Sequence, residues 1–242
     1  MPHMFTNRPR LFALHKDQAD LHGQFRWESI NAFLYKLGGL VFILGSIMFF
    51  PAMQEYMNLG CWIFFFGSLL YLVVTVHDLA EVHTHWKSVQ GLDRKKIYEY
   101  TAAVSYVAGT VLFVLGSIFF LSEVGWTILG GWSFIIGSLL FVLGAGINVL
   151  QIVKYRDMLT LQLMNLTAVS FVIGSVLFTV ASVPTLWDMQ TTRDHVLVQA
   201  LLGWQYLVGS FLFFLGGVFN YWRAYIFMSR EQSGDKRPSS RP

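Results

Sequence analysis

Six apolar segments, near residues 32–51, 59–79, 101–122, 126–150, 162–183 and 197–221, constrain this chain more than any other feature. Each is long enough to cross a bilayer, which takes about 20 helical residues. Hydrocarbon offers no partner to exposed N–H and C=O groups, so a crossing must satisfy its backbone internally, and runs of this length do so as α-helices. With 55% hydrophobic and 13% charged residues among 242, the chain is too apolar for a soluble surface. An all-α transmembrane protein is the expected class.

Each segment carries one Gly-Ser pair: Gly45-Ser46, Gly67-Ser68, Gly116-Ser117, Gly137-Ser138, Gly174-Ser175 and Gly209-Ser210. The even-numbered segments add a tryptophan, at Trp62, Trp132 and Trp204. Joints alternate between short ones, at 52–58, 123–125 and 184–196, and basic ones, at 80–100 and 151–161, so the segments read as three hairpins of one orientation. Small residues recur every seven positions, as at Gly38 and Gly45, Gly130, Gly137 and Gly144, or Gly174 and Ala181. A seven-residue period keeps one stripe on one helix face, where small residues let backbones approach, and a neighbouring serine bonds back to a carbonyl one turn earlier or across to the next helix. The Gly-Ser pairs are therefore read as packing devices.

Aligning the hairpins on these marks puts Glu28, Glu99 and Asp157 seventeen residues ahead of Gly45, Gly116 and Gly174. Asp78, Asn148 and Asn220 stand eleven residues beyond Gly67, Gly137 and Gly209, with Glu81, Gln151 and Arg223 three further on. Parallel repeats are related by an axis along the membrane normal. The architecture expected is a six-helix bundle of three parallel-repeat hairpins (28–96, 97–154 and 155–229), pseudo-threefold about that axis. A cytoplasmic segment (1–27) would precede them and a disordered basic tail (230–242) would follow. Glu28, Asp78, Glu81, Glu99, Asn148, Asp157, Asn220 and Arg223 would form a polar rim at one end, the acids complementing helix N-termini or drawing cations. Glu81 and Arg223 would pair across hairpins one and three.

Sixteen of the seventeen Lys and Arg residues fall on the side of the termini, with only Arg193 near a hairpin tip, so both termini are expected in the cytoplasm. The same clustering reads the formal net charge of +3 as membrane orientation, and no nucleic-acid partner is expected. Trp27, Trp86, Trp126, Trp187 and Trp222 fall at predicted helix ends and suit an aromatic belt. The first thirty residues hold four basic residues and no uninterrupted apolar core, unlike a cleavable signal peptide.

These repeated units, with an acid before the first helix, Gly-Ser near its far end, and an aromatic with Gly-Ser on the second, resemble the YrhK-like domain family of two-helix bacterial membrane modules. The resemblance spans about residues 25–229 as three tandem copies and implies a bacterial inner-membrane location, without implying a biochemical activity. The third copy departs most, with Thr167 where a glycine is expected and Asp157 in the first position.

Candidate chemistry is sparse. His77, Glu81 and His85 are spaced four apart on one helix face and could offer three ligands to a divalent metal; a solvated polar extension is the simpler reading, and no cofactor is expected. Facing histidines for a haem, a nucleophile elbow and a phosphate loop are all missing, so no enzymatic activity is expected. Ionisable residues are expected only near the interfaces, which disfavours charge-coupled transport. Two functions fit. One is a non-catalytic structural or accessory membrane protein, packed in lipid against a membrane-protein partner or copies of itself. The other is a small passive channel with a serine-lined axis and an acidic cytoplasmic vestibule.

Overall fold

The computed structural model describes residues 21–87, 94–151, 158–187 and 191–232. Six helices account for nearly all of them: α1 (Leu21–Ile47), α2 (Met57–Lys87), α3 (Arg94–Phe119), α4 (Thr127–Gln151), α5 (Met158–Ser182) and α6 (Thr192–Gln232). Two 3-10 turns, Pro51–Tyr56 and Val183–Leu186, lie in the first and third tips. The second tip turns at Gly125, whose φ of 67° lies in the left-handed region that favours glycine. There is no strand among the described residues, and all six helices are long and apolar enough to cross a membrane.

Several helices outrun the apolar segments. At 1.5 Å per residue, the 31 residues of α2 reach about 46 Å and the 41 residues of α6 about 60 Å, against a hydrocarbon core of about 30 Å. α1 begins at Leu21, inside the stretch assigned above to an extramembrane segment, and residues 233–242 of the expected tail lie outside the described residues. Glu28 and Glu99 consequently sit well inside α1 and α3, and neither helix has an acid in its first turn. They do not cap helix N-termini, as the alignment had suggested; the polar flanks continue the helices instead of ending them.

Each helix packs against its neighbours in sequence, and α6 packs back onto α1, so the six close into a ring. Within a hairpin, a phenylalanine of the odd helix sits on a glycine of the even one. A Cβ added at Gly67, Gly137 or Gly209 would lie 2.7 Å from Phe42, 2.8 Å from Phe113 or 2.8 Å from Phe178. The three rings meet at the middle of the bundle, with centroids 6.3 Å (Phe42–Phe113), 6.1 Å (Phe42–Phe178) and 5.6 Å (Phe113–Phe178) apart. Each also lies against an aromatic ring of its own hairpin: Phe64 at 4.9 Å, Phe134 at 4.7 Å and Tyr206 at 5.1 Å.

These contacts correct the alignment of the third hairpin. Gly174 does not stand where Gly45 and Gly116 stand. A Cβ on it would meet Phe213, four residues beyond Gly209, just as Gly38 meets Tyr71 and Gly109 meets Phe141, four residues beyond Gly67 and Gly137. Ala181-Ser182 therefore replaces Gly45-Ser46 and Gly116-Ser117. The serine bonds agree: Ser46, Ser117 and Ser182 donate to the carbonyl oxygens of Phe42 (2.7 Å), Phe113 (2.7 Å) and Phe178 (2.8 Å). Ser175 makes no such bond. A heptad stripe looks the same after a shift of seven, so spacing alone could not choose between the two registers. In the shifted register Met164, not Asp157, answers to Glu28 and Glu99.

The ring is closed by two glycines outside the heptad stripes. A Cβ on Gly39 of α1 would lie 2.8 Å from the Cα of Phe214, and one on Gly217 of α6 would lie 3.0 Å from Tyr35. Lys36 Nζ lies 4.1 Å from the ring centroid of Tyr221 across the same seam. Because the obstacle at Gly39 is backbone, Gly39→Val is expected to part α1 from α6 and to destabilise the fold by about 1–3 kcal/mol, the usual cost of overpacking. At Gly146 an added Cβ meets nothing within 4 Å, so Gly146→Ala should be neutral or stabilising. Unfolding in mixed micelles titrated with sodium dodecyl sulfate, followed by circular dichroism, checks both.

Candidate functional site

The polar residues expected at a solvated rim are gathered inside the bundle, toward the side of the termini. Asp78 (4% exposed), Glu81 (6%), Glu99 (6%), Asn148 (8%), Asn220 (1%) and Arg223 (2%) are all buried. Glu28 lies in α1 with its side chain outside the described ones, and Asp157 lies outside the described residues. Asp78, Glu81, Glu99 and Arg223 fall toward the terminal-side ends of the candidate membrane spans. Apolar segments end where polar residues begin, whereas the helices carry those residues onward on faces turned toward their neighbours. A charge taken out of water is tolerated only with partners.

Glu99 is held by a specific one. The indole Nε1 of Trp86 donates to Glu99 Oε2 at 2.6 Å, and Lys96 Nζ donates to the Trp86 carbonyl at 3.2 Å, tying α2 to α3. Glu99 thus joins hairpins one and two. Trp86, 7% exposed, is no part of an aromatic belt, whereas Trp126, Trp187 and Trp222 are 58%, 65% and 52% exposed as a belt requires. The side chain of Trp27 is outside the described ones.

At the end of α2, His77 Nδ1 approaches Glu81 Oε1 at 3.9 Å, and Asp78 completes a group whose three ligand atoms lie within 4.8 Å of one another. Oxygen and imidazole donors at that separation could hold a divalent cation. The third member is Asp78, adjacent to His77; the side chain of His85 lies outside the described ones.

The three positions eleven residues past the even-helix glycines are not equivalent in bonding. Asn148 Nδ2 donates to Tyr106 OH at 2.9 Å. Among the described residues Asn220 has no partner on either amide atom. Their surroundings explain the difference: a Cβ on Gly144 would meet the ring of Tyr106 at 2.8 Å, and one on Gly216 would meet the ring of Phe171 at 2.7 Å, each glycine one turn before its asparagine. Tyr35, Tyr106 and Phe171 are thus counterparts, and only the third lacks a hydroxyl. A cavity of about 30 Å³ lies beside all three, lined also by Ser68, Tyr71, Thr75 and Thr110. The Ser68 and Tyr71 oxygens have no partner among the described residues, so this cavity suits an ordered water.

A larger cavity of about 660 Å³ opens at the opposite end, among the three tips. Spacing could not foresee it, because its walls come from three segments far apart in the sequence. The aromatic core separates the two cavities: Phe42 and Phe113 line the smaller, while Phe49 and Tyr206 line the larger.

If Phe171 is the missing hydroxyl, Phe171→Tyr should give Asn220 the bond that Asn148 has. The expected gain is about 0.5–1.5 kcal/mol, the net worth of one hydrogen bond. Tyr106→Phe should cost more, because it strands the Asn148 amide. Detergent unfolding of the two variants, compared with the parent, reads the sign of each change.

Residues 25–82 and 96–153, which are hairpins one and two, match the family model of YrhK-like protein as two tandem copies. The third hairpin lies outside the matched residues, as its shifted register would lead one to expect. No curated protein and no solved structure matches the chain.

Proposed function

From a chain whose first two hairpins belong to the YrhK-like family, we propose a non-catalytic scaffold or accessory subunit of a membrane assembly, its ring of six helices packing in lipid against a membrane-protein partner or copies of itself. The reading includes a pseudo-threefold arrangement, supported by the matched Phe42, Phe113 and Phe178 contacts, and a bacterial inner membrane with both termini in the cytoplasm, supported by the distribution of Lys and Arg.

One observation carries it: the axis is filled. Phe42, Phe113 and Phe178 meet at the centre, and each is seated on a glycine of its partner helix with no space for a Cβ between them. Swinging a ring aside requires parting its hairpin. Ser46, Ser117 and Ser182 are turned to carbonyls one turn back, which takes these three hydroxyls away from a passive path. Glycine crossings and buried rings are what stable helix association in lipid needs, since the hydrophobic effect contributes little there.

Purified protein in liposomes is expected to pass neither protons nor potassium above the rate of empty vesicles. On a background with the buried Cys61 replaced by Ala, Ser46→Cys, Ser117→Cys and Ser182→Cys should resist a membrane-impermeant thiol reagent applied from either side. Potassium flux through the parent protein, or rapid labelling at these positions, overturns the scaffold reading. A stoichiometric membrane neighbour retained in mild detergent, or a stable homo-oligomer, is the positive result.

The buried Glu81 and Arg223 are proposed to balance each other between hairpins one and three. Glu81→Gln and Arg223→Gln alone should each destabilise by about 3–5 kcal/mol, the cost of breaking a buried pair, and the double change by much less than the sum. A strictly additive double-mutant cycle would count against the pair.

A further inference from the structure

We propose that the seam where α6 closes onto α1 is a binding site for one anionic phospholipid, its phosphodiester group held by the Lys36 ammonium on the side of the termini. Lys36 is the one charged residue of the candidate span Ser29–Ile47 and stands seven residues, about 10 Å, past its start. It is half-buried and makes no ion pair among the described residues.

Packing does not ask for a cation there. α1 packs on α6 as α3 packs on α2 and α5 on α4. Counted back from Gly45, Gly116 and Ala181, the counterparts of Lys36 are Val107 and Val172. Counted on from Gly67, Gly137 and Gly209, the counterparts of Tyr221 are Leu79 and Val149. Aliphatic pairs therefore occupy the other two seams, and Lys36 with Tyr221 sets this one apart.

The path of the side chain shows what the lysine seeks. A Cβ on Gly217 would lie 3.2 Å from Lys36 Cγ and 3.5 Å from Lys36 N, so the residue leaves α1 level with Gly217. Its Nζ ends 4.1 Å from the ring centroid of Tyr221, four residues or about 6 Å further toward the termini. The stem thus runs along α6 toward the membrane surface, as a snorkelling lysine does. Gly217, Tyr221 and Tyr225 are spaced four apart on one face of α6 and make the row it follows. Tyr225 (54% exposed) and Trp222 (52%) stand where the α6 span ends, at Ile226, the depth of an aromatic belt.

A ring face attracts an ammonium but leaves its N–H donors without an anionic acceptor. In low dielectric a cation draws an anion more strongly than in water. At this depth the available anions are lipid phosphates, and basic pockets between transmembrane helices take anionic headgroups. In phosphatidylcholine the choline cancels the phosphate charge, so a headgroup of net negative charge is the better occupant.

Native mass spectrometry of the full chain, delipidated in detergent, reads the affinity of the first lipid bound. Dioleoyl phosphatidylglycerol is expected to bind about fivefold tighter than dioleoyl phosphatidylcholine, the worth of one cation at an anionic surface. Lys36→Gln should bring the two lipids to within about twofold of each other. Lys87→Gln, which removes an exposed cation at the end of α2, should leave the preference unchanged. Excess inorganic phosphate should not displace the phosphatidylglycerol; displacement would assign the ammonium to free phosphate and overturn the lipid site. Equal affinity of the parent protein for the two lipids overturns the proposal whether or not either variant folds, as does an undiminished preference in Lys36→Gln or its loss in Lys87→Gln.

Discussion

The contact on which this structure depends is a phenylalanine ring seated on a glycine of the neighbouring helix. Within lipid, apolar side chains gain little by leaving one hydrocarbon for another, so helices associate through close dispersion contact and whatever hydrogen bonds they share. A glycine opposite an aromatic ring supplies that contact. It lets the backbone approach until the δ and ε carbons of the ring rest on it, as Phe42 does on Gly67, Phe113 on Gly137 and Phe178 on Gly209. Because the three rings then point to one place, the same contact that forms each hairpin also joins the three. Filling the axis is a consequence of how the hairpins are made.

The polar residues obey a different rule. Glu99 and Arg223 are buried where the helices continue past the apolar segments, and Asn148 is buried near the end of one; Trp86 with Glu99 ties hairpins one and two, and Asn148 with Tyr106 ties α4 to α3. Burial raises the stakes of every such group, since a partner missing in low dielectric is not replaced by water. Asn220 illustrates the cost: Phe171 stands where the second hairpin has Tyr106, and among the described residues the Asn220 amide has nothing to bond.

The third hairpin departs from its siblings by whole heptads, and the two ends of the bundle register this differently. Toward the core the shift is silent, because Ala181-Ser182 takes the place of a Gly-Ser pair and the rings still meet. Toward the tips the extra length of α6 is exposed and encloses space. A length change that is a multiple of seven can thus preserve a packed interior while reshaping a surface.

The glycines and serines at seven-residue spacing, the apolar segment lengths and the alternation of joints were sufficient by themselves to determine six helices, three hairpins and the residues at which backbones approach. These are local properties, set by backbone satisfaction and helical period. Tertiary structure decided the rest: which heptad of α5 faces Gly209, that Gly39 and Gly217 close the ring, that Asp78, Glu81 and Arg223 are buried, and that Asp78 lies with His77 and Glu81. Periodicity specifies a helix face but is blind to shifts by its own period, and to what lies across from that face. Only the packing of distant segments removes that degeneracy.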